Sequence, residues 1–207
     1  MKSETMVEIS ERLCRHLTAG GVVAYPTSTL PGLGCLPTKL GLNTLFTLKN
    51  RPLDQPVSIG VASVRQAEEL VEIPMIAKSI LSEFPQGSLT LILDAKKTLD
   101  QRIGGDRIAI RVFANPIART LAEIVGPITA TSANQSGIEP SHDVLIAANT
   151  LGLNSQFILE GICPGGHGST ILSIEKDNLE KHGFSVSIMR EGVIPRADVM
   201  TWMKKMR

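Results

Sequence analysis

The sequence predicts an α/β fold: one domain over residues 1–207, built on a twisted, open sheet of mixed strand direction with helices on its faces. Three observations predict it. Apolar runs of strand length interleave with segments of helical periodicity along the whole chain. No repeat, low-complexity linker or break in composition divides the 207 residues. The strand candidates alternate little, so most are covered on at least one face, and the last three follow one another too closely for helical crossovers, which mixes parallel with antiparallel pairing.

The elements follow in order. Thr5-x-x-Glu8 is a capping-box pattern, and Met6, Ile9, Leu13, Cys14 and Leu17 recur at helical spacing until Gly20-Gly21. Val22–Tyr25 reads as a short buried strand stopped by Pro26, and a loop rich in hydroxyls and glycines runs on to Gly34. Leu42, Leu45, Phe46 and Leu48 predict a helix that Lys49-Asn50-Arg51-Pro52 closes. Val57–Ala62 reads as a strand, then Val64–Val71 and Met75–Phe84 as helices parted by Pro74. Leu89–Leu93 and Ile108–Phe113 are strands, Ile117–Val125 a helix opened by Pro116, and Ile128–Thr131 a strand. Asp143–Thr150 is a helix; Phe157–Leu159, Thr170–Ile174 and Val186–Met189 are strands; Val199–Met206 is a last helix.

Composition narrows the function. The chain is 43% apolar and 20% charged, as a globular protein is, and 21 basic against 20 acidic residues give no global electrostatic case for nucleic acid. Five Phe, one Tyr and one Trp are too few stacking platforms for a protein that grips single strands. Cys14, Cys35 and Cys163 form no CxxC pair, and the four histidines show no HxxxH or HExxH spacing, so no dedicated metal site is expected; Cys163 and His167, four apart in a Gly/Pro-rich turn, are a weak hint only. The polar start, Met1–Thr5, lacks a signal region, and no stretch is apolar enough to span a membrane; a cytoplasmic location follows as the expectation.

Five polar clusters and one cation remain as candidates for chemistry. Thr131-Ser132-Ala133-Asn134-Gln135-Ser136-Gly137 sits where a strand ends, the place at which open α/β sheets bind ligands. Thr27, Ser28 and Thr29 precede Gly32 and Gly34, a loop able to approach a small polar ligand closely. Lys49 and Arg51 either complement a helix dipole or clamp an anion. Arg107 and Arg111, four apart on a strand, share one face; the strand is either at the sheet edge or lines an anion site. Arg190 ends the last strand, and the glycine-rich stretch up to Ser169-Thr170 precedes a strand rather than a helix, so it is not a P-loop. There is no Ser/His/Asp order and no carboxylate pair. Hydroxyls plus several cations suit a multiply anionic ligand, with catalysis by positioning and charge stabilisation.

In this order the segments resemble the YrdC/Sua5/TsaC family of L-threonylcarbamoyladenylate synthases. The resemblance rests on Gly21–Gly34, Lys-x-Arg-Pro within Leu48–Val57, Phe84–Leu93, Ile108–Pro116, Thr-Ser-Ala-Asn-x-Ser-Gly within Pro127–Gly137, Ser169-Thr170-Ile171 and Arg190-x-Gly192. It implies a single YrdC-like domain with a concave cleft, a YrdC/RibB-like fold. It also implies a nucleotidyltransferase that joins ATP, L-threonine and bicarbonate into threonylcarbamoyl-AMP and pyrophosphate, feeding the t6A modification of tRNA. Mg²⁺ would come with ATP rather than occupy a protein site. By the resemblance, Lys49 and Arg51 are catalytic. Thr29, Arg111, Ser169 and the backbone of Ala130 hold threonine. Lys49, Arg51, Gln55, Arg107, Ser132, Asn134, Ser141 and Arg190 hold the nucleotide or bicarbonate.

The chain departs from the family pattern at Ser28, where Asp or Glu is preferred, at Pro31, where Tyr or Phe stands, and at Gly60, where some members place a threonine-contacting His. Tyr or Phe at 31 would wall the loop nearest the substrate. Two alternatives carry over: a non-catalytic relative that binds double-stranded RNA or tRNA, with tRNA-modification proteins as further partners, and a carbamoyl-transfer module like that of hydrogenase maturation proteins.

Overall fold

The computed structural model describes residues 9–139, 141–180 and 183–206. The Thr5…Glu8 capping pattern lies outside them. The first helix, α1 (Glu11–Thr18), opens instead on Ser10, whose side chain accepts from the Leu13 N–H. The strands are β1 (Val23–Tyr25), β2 (Gly32–Gly34), β3 (Ser58–Val61), β4 (Leu89–Asp94), β5 (Arg107–Val112), β6 (Ile128–Ser132), β7 (Thr170–Lys176) and β8 (Phe184–Arg190). The remaining helices are α2 (Lys39–Lys49), α3 (Val64–Ala67), α4 (Met75–Glu83), α5 (Pro116–Val125), α6 (Val144–Thr150) and α7 (Arg196–Met206).

All eight strands form one sheet in the order β1-β2-β6-β3-β5-β4-β7-β8. The β3–β5 and β4–β7 pairs are parallel and the other five antiparallel, the mixed sheet that the short connections require. Leu91, Ile110, Ile59, Leu33 and Ala24 point to one face and pack with α2, α4, α6 and α7 in the main core. On the other face α1 and α5 cover only part of the sheet, through Leu13, Leu17, Leu121 and Ala122 against Val23, Tyr25, Phe113 and Ile128. The rest of that face is open. The registers Ser58↔Ala130 and Thr90↔Ile171, with Gly60↔Arg111 and Leu91↔Ile110, place Ser58, Thr90, Arg111, Ala130 and Ile171 on it.

Four expectations change. The stretch 26–34 is not all loop: Gly32-Leu33-Gly34 is a strand between β1 and β6, where the Tyr25 ring fills the space that side chains at Gly32 and Gly34 would need. The Val64–Val71 helix ends at Ala67, because Val71 leaves to pair with Ala95. Phe157–Leu159 is not a strand; one 3-10 turn (Ser155–Phe157) leads to a single bridge from Ile158 to Ala24. The strand carrying Arg107 and Arg111 is central, between β3 and β4, so the edge reading falls and the two arginines need partners on the sheet face.

Candidate active site

The uncovered part of the sheet face is the floor of a cavity of about 210 Å³. Arg51 enters from the segment after α2, Arg111 from β5 and Arg190 from the end of β8, and among the described residues no Asp, Glu or His lines it. Arg111 is 8% exposed. Its Nε donates to the Gly87 carbonyl (3.0 Å) and one terminal nitrogen to Thr29 Oγ1 (2.8 Å) and Ser28 Oγ (3.3 Å). All these acceptors are neutral. Burial pushes the guanidinium down to about 10; Tyr25 opposes the fall and Arg190 adds to it. Arg51 is lowered by burial and then by Arg190, and Arg190 by burial. Three cations thus share one partly desolvated hollow without a counter-charge, an arrangement that an anionic ligand relieves.

Main-chain carbonyls aim Arg51 and Arg190. Arg51 Nε donates to the Gln55 carbonyl (2.7 Å) and a terminal nitrogen to the Pro56 carbonyl (3.1 Å). Arg190 donates to the Ser169 carbonyl (2.8 Å), while Ser169 Oγ and Thr90 Oγ1 share a hydrogen bond (2.7 Å). Gly168 lies against the Arg190 guanidinium, and a side chain on Gly192 would run into the Gly168 carbonyl at 2.2 Å, so the two glycines let these strand ends close. Above Thr29, the Gly165 N–H donates to its carbonyl (2.9 Å), and the Thr27 N–H donates to Cys163 Sγ (3.3 Å), which draws the glycine-rich stretch over the loop.

Seven residues singled out in the sequence meet at this cavity: Thr29, Arg51, Arg111, Ala130, Ser132, Ser169 and Arg190. Asn134 and Ser141, with Ala133, line a second hollow of about 290 Å³. Gln55 contributes its carbonyl to Arg51. Two residues stand elsewhere. Lys49 is 1% exposed and does not line the cavity; its ammonium is taken up by the Ser132–Asn134 segment. Arg107 shares the open face with Arg111 but lies two pleat repeats away, outside the cavity, paired with Asp94 (2.6 Å) and bonded to Ser173 Oγ (2.9 Å).

Thr27, from the hydroxyl-rich loop singled out in the sequence, also lines the cavity, as do Tyr25, Ser58 and Thr90, which the sequence reading does not offer as ligand contacts. A hydroxyl inside the apolar run Leu89–Leu93 was the available signal for Thr90. Pro31 lines the wall, and its carbonyl accepts the Ala133 N–H (2.8 Å), tying the loop to the end of β6. At Gly60 any side chain would begin 1.9 Å from the Phe113 ring, so that ring occupies the position where some relatives carry histidine.

Comparison with known proteins bears on the family and the fold. The family model for Sua5, YciO and YrdC, described as Telomere recombination, matches residues 15–192. A threonylcarbamoyl-AMP synthase of Photobacterium profundum is 30% identical over 190 residues, covering 88% of this chain and 98% of that protein. One of Coxiella burnetii is 36% identical over 151 residues, covering 70% and 81%. The crystal structure of Pyrococcus abyssi Sua5 complexed with L-threonine superposes with a TM-score of 0.76 at 29% identity over 94% of this chain; the chain spans 58% of that protein.

Proposed function

The chain belongs to the Sua5/YciO/YrdC family, and from that premise we propose that it is a threonylcarbamoyl-AMP synthase, joining ATP, L-threonine and bicarbonate and releasing pyrophosphate. The observation that carries the reading is the convergence of Arg51, Arg111 and Arg190 on a cavity without a carboxylate, walled by Ser132 at the end of β6.

In this reading Arg111, Thr29, Ser169 and the Ala130 backbone hold threonine. Arg51, Arg190 and Ser132 face the phosphates, and Asn134 and Ser141 border the hollow that takes the rest of the nucleotide. Bicarbonate loses hydroxide to give CO2, the neutral threonine amine adds to that carbon, and the amine proton leaves with the hydroxide as water; the carbamate oxygen then attacks the α-phosphorus as the bond to pyrophosphate breaks. No lining side chain is placed as a nucleophile or general base: Thr29 accepts from Arg111, and Ser169 is bonded to Thr90. The protein's part is orientation and fixed positive charge in a low-dielectric hollow, worth most where negative charge develops on the phosphoryl oxygens. A lining of guanidiniums and hydroxyls does not suit a bare divalent cation, so Mg²⁺ enters as part of the Mg·ATP substrate.

The product is an activated carbamoyl donor, and tRNA with its modifying proteins is the proposed consumer. Three free thiols suit a cytoplasmic setting. The RNA-binding alternative gains nothing from the open face, where Arg107 is matched by Asp94 and Glu175. The test is to incubate the protein with Mg·ATP, bicarbonate and L-threonine and follow pyrophosphate. The expected release depends on both threonine and bicarbonate; release indifferent to threonine contradicts the reading.

A further inference from the structure

Lys49 and Arg51 are two residues apart, yet their charges go to different places. Lys49 is the last residue of α2, and the helix is capped by Asn50 in the left-handed region (φ 48). That turn separates the two side chains. Arg51 reaches the cavity, and Lys49 runs beneath its wall.

An ammonium has three N–H donors. The Lys49 donors face three acceptors: the carbonyls of Ser132 (2.5 Å) and Asn134, and Asn134 Oδ1 (3.3 Å). The backbone of the same residue holds the same stretch, because the Ser136 N–H donates to the Lys49 carbonyl (3.1 Å). Side chain and main chain of one residue therefore clasp residues 132–136 from both ends. Within the clasp Ser132 Oγ donates to Asn134 Oδ1 (2.5 Å), and Asn134 Nδ2 donates to the Gln135 carbonyl (2.9 Å). The clasped stretch contributes to both hollows, Ser132 to the first and Asn134 to the second.

We propose that Lys49 is a positioning residue: its buried ammonium fixes the pose of Ser132 and Asn134 and does not itself contact the nucleotide. The assignment rests on the reading of the cavity as the ATP site. A swing of Lys49 towards a phosphate would take a donor from three acceptors at once; Ser132 Oγ still serves Asn134 Oδ1 and the Asn134 N–H still serves the Ser132 carbonyl, but the Asn134 carbonyl would lose its donor among the described residues, and an acceptor left so is disfavoured. Arg51, held by only two carbonyls and lining the cavity, carries no such burden.

Two measurements on the full chain test this. In the nucleotide-free protein, amide hydrogen exchange at Ala133 and Ser136 is expected to quicken about tenfold or more in Lys49→Met and to stay unchanged in Arg51→Met. In the wild type with 15N-labelled lysine, the Lys49 ammonium signal is expected to be protected without nucleotide. On adding Mg·ATP without threonine it should keep its shift and gain no coupling to phosphorus. Unchanged exchange in Lys49→Met, or an ammonium signal that moves and couples to phosphorus, overturns the proposal. If Lys49→Met does not fold, the wild-type spectrum decides alone. If Mg·ATP does not bind at all, it is the reading of the cavity that fails, and the exchange result still decides whether the clasp exists.

Discussion

Arg107 and Arg111 lie on one strand, four residues apart and on one face, and they are treated oppositely. Arg107, at the open end of β5, is a third exposed and sits between Asp94 and Glu175. Arg111, at the inner end, is nearly buried and meets only a carbonyl and two hydroxyls. The first charge is satisfied by the protein; the second is left for something else. Burial with neutral partners is costly for the folded chain alone, and it marks where a ligand's negative charge restores the balance.

The largest expected effect is therefore at Arg111. Arg111→Met should lower kcat/KM by about 10²–10³-fold, the loss of a preorganised charge worth roughly 2–4 kcal/mol. The melting temperature should change little, because a desolvated cation is removed with its hydrogen bonds. Steady-state kinetics beside calorimetry checks this; a large loss of stability with intact kcat/KM would reverse the contrast. Next comes Gly60, beside Arg111 on β3. Gly60→Ala places a methyl against the Phe113 ring, and overpacking of this kind costs about 1–3 kcal/mol. Thermal unfolding should show a fall of several degrees, and an unchanged midpoint would mean that the ring moves freely.

A smaller effect is expected from pH. Burial and then Arg51 push Lys49 down to about 8 from its ordinary 10.5. Between those values the unfolded chain binds the proton that the folded chain has released. The wild type should therefore gain stability relative to Lys49→Met as pH rises from 8 to 10.5, by no more than about 3 kcal/mol. Denaturant titrations of both proteins across this window measure it; parallel curves would show an ordinary lysine. Smallest is Arg107→Ala. Arg107 does not line the cavity, so kcat/KM should fall less than about tenfold, and its part-exposed ion pair adds only about 0–1 kcal/mol to stability; a catalytic loss equal to that of Arg111→Met would carry the nucleotide site down the strand.

The same contrast explains what was legible in the sequence. Strands made of apolar runs, such as Leu89–Leu93 and Ile128–Thr131, declare themselves locally, because their burial depends on their own side chains. Gly32-Leu33-Gly34 does not: it is a strand because β1 and β6 pair with it and Tyr25 packs over its glycines. The site's inventory was legible as residue types at strand ends, and seven of those residues do meet. Direction was not. Nothing in Lys49-Asn50-Arg51 says that the lysine turns inward, since that depends on a left-handed Asn50 and on carbonyls more than 80 positions along the chain. Nor could spacing on β5 tell Arg107 from Arg111, because the distinguishing Asp94 lies on the neighbouring strand.

The central claim is that the charge left without a carboxylate is the one that holds the substrate. Calorimetric titration of L-threonine and of Mg·ATP into wild type, Arg111→Met and Arg107→Met tests it without turnover. The account predicts that threonine binding is lost in Arg111→Met and kept in Arg107→Met. Equal threonine affinity in the two variants would contradict it.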